Sequence, residues 1–161
     1  MLSTFLYNMT LIITMVFITI KLKQFLINSN NHRKTFLGLL ALISGLMSIF
    51  VMLSPFKIGD MIFDLRNVPL FISAYLGGWQ IGILAGIAPL VYRLYLGGAY
   101  VWYGILNIVL VIAVGELFRH REDNVNALID IKKPIVIFTV YNIIILLVYL
   151  FTLDVNYQTW L

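Results

Sequence analysis

Arg93 stands inside the apolar run "GILAGIAPLVYRLYLGG"; the nearest charges before it in the chain are Arg66 and Asp64, and the nearest after it is Glu116. A cation within a membrane span costs about 2.5–3.5 kcal/mol on insertion scales and therefore faces a partner or a wet cavity. Two arginines against one nearby aspartate leave a positive surplus, and the planar guanidinium holds an oxyanion through paired hydrogen bonds. The chemistry on offer is the binding of an anion. The structural alternative is an Arg93–Asp64 pair, or an Arg93 that snorkels to lipid headgroups.

Other polar groups in the apolar runs are the amides of Asn107 and Asn142, with Tyr92, Tyr100, Trp102 and Tyr141 nearby. Interhelical hydrogen bonds are the expected use of both amides. Glu116 lies one turn before Arg119 and His120, which suggests an intrahelical pair. His32 and His120 fall in separate loops without ligand spacing, so neither a metal nor another cofactor is expected. With no cysteine in the chain, thiol chemistry is absent. No Gly-rich phosphate loop and no Ser/His/Asp set appears, so these 161 residues are not expected to be an enzyme.

The elements that position these residues follow from composition. With 61% of residues hydrophobic, 11% charged and a mean hydropathy of +0.98, the chain is an all-α polytopic membrane bundle. Its net charge of +4 is gathered in loops between apolar runs, which points to topology and to a lipid bilayer as partner, with no nucleic acid. At about 20 residues per span, spans are predicted at 2–20, 36–53, 101–118 and 134–153. The remaining run, 68–96, is too long for one span and breaks at Gly77-Gly78. Loop 21–35 holds Lys21, Lys23, Arg33 and Lys34, and loop 119–133 holds Arg119, Arg121, Lys132 and Lys133. The positive-inside rule wants both in the cytoplasm, which requires an even number of crossings between them. Spans 36–53 and 101–118 supply two, so 68–96 must be a broken hairpin that goes in and returns.

About six apolar segments result, with the N-terminus outside a plasma membrane. In the hairpin, Arg93 lies about 21 Å beyond the glycine break, at the same outer level as Asp64 and Arg66, and the three can meet. Pro69 suits a helix start. Gly78, Gly82 and Gly86 recur every four residues as a helix-packing face, with Ala85 beside them and Ala41 and Gly45 of the preceding span as a complementary surface. Packing within the bundle is the first use of this face, and a homodimer contact the second.

The segment from 64 to 98 resembles the signature of the LytS/YhcK-type five-transmembrane receptor domain. The features that carry the likeness are Arg66 and Asn67 in "DLRNVP", the Gly77-Gly78 break, Gly82, Gly86, the Tyr92-Arg93 pair and the closing "LYLGG". The resemblance covers roughly residues 36–153. It implies a membrane input module joined to a cytoplasmic histidine kinase or GGDEF diguanylate cyclase, preceded by an extra N-terminal span. On that pattern residues 1–35 are the extra span with its basic loop. Residues 36–161 are the receptor-type domain, expected to lack its last span and its output domain. A looser likeness is to the substrate-binding subunits of energy-coupling-factor vitamin transporters.

The ligand-binding set is then Asp64, Arg66, Asn67, Tyr92, Arg93 and Asn107. The functional expectation is a signal-sensing input domain that takes a small anionic ligand from the outer side and passes a packing change to a cytoplasmic output domain. The alternative is a substrate-binding subunit of an uptake transporter.

Overall fold

The computed structural model describes residues 2–27, 33–58, 61–63, 65–97, 101–119 and 132–158. These form two compact units, Met1–Asn126 and Ala127–Leu161. In the first, α1 (Leu2–Ile27) and α2 (Arg33–Leu53) are followed by a short antiparallel ribbon, β1 (Phe56–Ile58) with β2 (Met61–Phe63). Phe56 pairs with Phe63 and Ile58 with Met61. Then come α3 (Asn67–Gly77), α4 (Trp79–Leu96) and α5 (Val101–Leu117). The second unit is one helix, α6 (Lys132–Gln158). Three of the described helices, α1, α2 and α4, are long and apolar enough to cross a membrane, and α3 and α5 are shorter apolar helices. The chain is thus a helical membrane bundle with six helices among the described residues.

The broken hairpin is present as α3 and α4, separated at Gly78. This residue has φ 88°, in the region that favours glycine, and its N–H donates to the Ala74 carbonyl at 2.8 Å to close α3. Pro69 falls in the first turn of α3, where its missing N–H would have had no intrahelical acceptor. At about 1.5 Å per residue, α3 covers only about half of a hydrocarbon core. It is nonetheless the best-buried helix: Leu70, Phe71, Ser73, Ala74 and Tyr75 are all buried, and α3 packs on α2, α4 and α5. A helix that ends at membrane depth is tolerated when protein covers its ends.

Small residues set the helix spacing. Ala74 of α3 lies between Gly82 of α4 and Gly115 of α5: a Cβ built at either glycine would come within 2.9 Å or 2.7 Å of the Ala74 methyl. Gly86 meets Ile112 and Ile108 of α5, so the glycine face looks inward to α3 and α5. Gly45 of α2 meets a different part of α4, where its Cβ would be 3.1 Å from the Ala85 carbonyl oxygen. That carbonyl lacks its usual i+4 donor because residue 89 is proline, which leaves it available to a close neighbour.

Some boundaries differ from the sequence expectation. α1 runs on to Ile27, so Lys21 and Lys23 belong to its last turns instead of a loop, and Lys21 Nζ lies 5.9 Å from the Phe17 ring centre. The ribbon at 56–63 was not expected; its strands are three residues each, too short for alternation to show. The Asn142 amide donates within its own helix, to the Phe138 carbonyl one turn back at 2.7 Å.

Candidate functional site

Two cations from different helices converge at one end of the first unit. Arg66, just ahead of α3, and Arg93, in the last turn of α4, are 6% and 5% exposed. Both reach Gly104 near the start of α5: a Cβ there would lie 2.8 Å from Arg93 Nε and 3.0 Å from Arg66 Nη2. The bare Cα of Gly104 is what lets both side chains settle against α5. α2 supplies the remaining wall. Ser48 Oγ donates to the Arg66 carbonyl at 3.3 Å, and Arg66 Nη1 donates to Met52 Sδ at 3.7 Å. Since both arginine nitrogens lie within 3.0 Å of one point, they are at most about 6 Å apart; two unit charges at that separation repel by about 3 kcal/mol at an effective dielectric of about 20. A negative charge beside them, from the chain or from a ligand, offsets that repulsion.

Neutral polar groups accompany the cations. Asn67 is buried directly after Arg66, and Ser44 lies one turn before Ser48 on the buried face of α2. Neither Asn67 Oδ1 nor Ser44 Oγ has a hydrogen-bond partner among the described residues. Leaving such a group unsatisfied costs about 1–3 kcal/mol, which a ligand or an ordered water would offset. Asn107 stands one turn after Gly104 and is half-buried, as is Tyr92 beside Arg93. Asp64 lies outside the described residues. The structure thus brings Arg66 and Arg93 together, sets Asn67 in the adjacent chain, and keeps Tyr92 and Asn107 within a turn of the convergence.

Sequence reasoning missed Gly104, Ser48 and Met52. A signal for the first was available: Gly104 and Gly115 are three turns apart on α5 and so share a face, which marks a side of close approach.

The opposite end of the unit holds a second polar cluster. Trp79, the first residue of α4, donates its N–H to Glu116 Oε2 at 2.6 Å. Arg119 Nη1 is 3.6 Å from Glu116 Oε1, as its i,i+3 spacing led one to expect. A Cβ on Gly78 would come within 2.6 Å of Arg119 Nη1, so the guanidinium covers the break itself. Four more basic residues share this end, while Lys57 falls in β1, directly after the other end of α2. Asn8 Nδ2 donates to the Ser54 carbonyl at 2.9 Å, which ties the start of α1 to the end of α2. Lys21 and Lys23 on α1, and Arg33 and Lys34 on α2, consequently lie at the far end with Arg119.

A membrane helix bundle with a short broken hairpin and two buried arginines at one end defines the class of the protein. The family model described as the 5TMR of 5TMR-LYT matches residues 20–160. The chain belongs to this family, the LytS-type five-transmembrane receptor domain, which is a membrane sensory input domain of signalling proteins and not a catalytic one. No curated protein and no solved structure matches the chain. Of the two likenesses raised by the sequence, the family match supports the receptor domain.

Proposed function

We propose that the chain senses a small anion at the Arg66–Arg93 site and transmits its binding as a change in helix packing to a cytoplasmic kinase or cyclase. The observation that carries this reading is the convergence of two buried guanidinium groups on Gly104. Two planar forks that converge on one point suit a carboxylate or phosphate. Asn67 and Ser44 would supply neutral contacts to the rest of the ligand. With the basic end of the unit in the cytoplasm, the arginine site opens to the outer side of the plasma membrane and the N-terminus lies outside. A ligand acts only through its difference in affinity for two packing states, and coupling of about 1–3 kcal/mol is typical.

The test is ligand-induced stabilisation of the purified 161-residue protein. Acetate, succinate and inorganic phosphate are added separately at constant ionic strength, and thermal unfolding is followed by circular dichroism. A bound anion at about 100 times its Kd adds about 2.7 kcal/mol. The wild type is expected to be stabilised by at least one of these anions, Arg93→Met and Arg66→Met not at all, and Arg93→Lys only in part. Equal responses in wild type and Arg93→Met would remove the arginines from any anion site.

A further inference from the structure

Two contacts tie α4 to α5, one at each end. At the arginine end, Arg93 lies against Gly104; at the other, the Trp79 N–H is held by the Glu116 carboxylate. Trp79 is the first residue of α4, where backbone N–H groups have no intrahelical acceptor. Gly78 ahead of it makes no side-chain cap. Glu116 serves as that cap from α5, 37 residues away in the chain, with a short charge-assisted bond at the positive end of the helix. Its second oxygen faces Arg119, whose guanidinium covers the break. One carboxylate thus joins the hairpin tip to the C-terminal end of α5.

Between the two contacts, α4 presents bare glycine at Gly82 and Gly86 to Ile112 and Ile108. Ile112 is seated against both glycines, so α4 and α5 are in close contact along this stretch and a displacement of one is felt by the other. From Trp79 to Arg93 the helix is about 21 Å long and runs on through Pro89. Switching helices move by about 1–2 Å at interfaces. Such a shift lengthens a 2.6 Å bond to about 3.6 Å or more, where it no longer holds.

We propose that Glu116 is the coupling residue of the domain: it holds the Trp79 amide while α4 is in one position, and displacement of α4 at Arg93 releases that hold, freeing the end of α5 and the chain that follows it. The proposal rests on the reading that the arginine site is where the signal enters, but its test needs no ligand. Backbone amide exchange is measured by NMR on the 15N-labelled 161-residue protein in detergent micelles. Gln80, whose N–H also lacks an intrahelical acceptor, is the internal reference, and Val111 in the buried centre of α5 reports general loosening.

In the wild type the Trp79 amide is expected to exchange at least tenfold more slowly than that of Gln80. Glu116→Ala is expected to bring the two together, with Val111 unchanged. Two perturbations at the far end should do the same in part. Gly104→Ala pushes on both arginines while keeping their charges, and Arg93→Met removes one contact altogether; each should speed Trp79 exchange threefold or more with Val111 unmoved. Trp79 exchange within twofold of the wild type in both far-end variants would overturn the proposal, and so would equal acceleration at Trp79 and Val111. A failure to bind anions, by contrast, would strike the proposed ligand and leave the exchange result standing.

Discussion

Replacing Gly115 by alanine tests the central crossing of the bundle with a single methyl group. The new Cβ would stand 2.7 Å from the Ala74 methyl, 3.1 Å from the Phe71 carbonyl oxygen and 3.3 Å from the Tyr75 nitrogen. Carbon atoms in contact prefer about 3.5–4.0 Å, so α5 must back away from α3 by about 1 Å. Two of the three neighbours are backbone, and no rotamer change relieves them. Overpacking of this kind costs about 1–3 kcal/mol, set against a gain of up to about 1 kcal/mol for alanine over glycine in a helix. With the full helix gain counted, a net loss of up to about 2 kcal/mol follows, or up to roughly 8 °C in Tm for a chain of this size. Gly38 on α2 is the control, because a Cβ there meets nothing within 4 Å; Gly38→Ala should hold or raise Tm. Thermal unfolding by far-ultraviolet circular dichroism in one detergent compares the two. Adding Ala74→Gly to Gly115→Ala removes the closest clash but leaves the Phe71 carbonyl contact, so recovery should be partial. If Gly115→Ala melts at or above the wild type, α5 is not seated on the α3 backbone and the inward reading of the small-residue face fails.

Two further predictions concern the arginines and the topology. If Asp64 neutralises Arg93, Asp64→Asn should lower Tm and Arg93→Met should recover most of the loss, whereas a site kept for a bound anion predicts that Arg93→Met alone leaves Tm level or higher because like-charge repulsion is relieved; a double-mutant cycle of melting temperatures separates the two. Because the chain has no cysteine, single cysteines at Asn30, Ile58 and Asn126 can be probed with an impermeant thiol reagent in intact cells. Position 58 should be labelled and 30 and 126 protected, and labelling at 126 would refute the even number of crossings.

Much of the hairpin was legible because it follows from counting. Charge on either side of 68–96 forces an even number of crossings, the Gly77-Gly78 pair marks where the chain turns, and helix rise brings Arg93 back to the level of Arg66. These are statements about position along an axis, which sequence spacing measures directly. The partner of each face is a different kind of quantity, since it depends on how helices are arranged around one another. The repeat of Gly78, Gly82 and Gly86 announces close approach, but nothing in it says that Gly82 meets Ala74 and Ile112, or that Gly78 leaves the face to form the break under Arg119. Glu116 shows the consequence most sharply. Its pairing with Arg119, three residues on, was readable from helical spacing, while its bond to the Trp79 amide exists only because α4 and α5 run antiparallel with a particular stagger. What Gly104 makes room for is hidden for the same reason: a glycine carries no chemistry of its own, and it becomes part of the site only once two arginines from other segments arrive at its Cα. A ligand site assembled from three separate segments is therefore half visible in the sequence. Its charged members can be found by their cost, while the residue that makes room for them shows only as a face of close approach, through its spacing from Gly115, with no sign of what approaches.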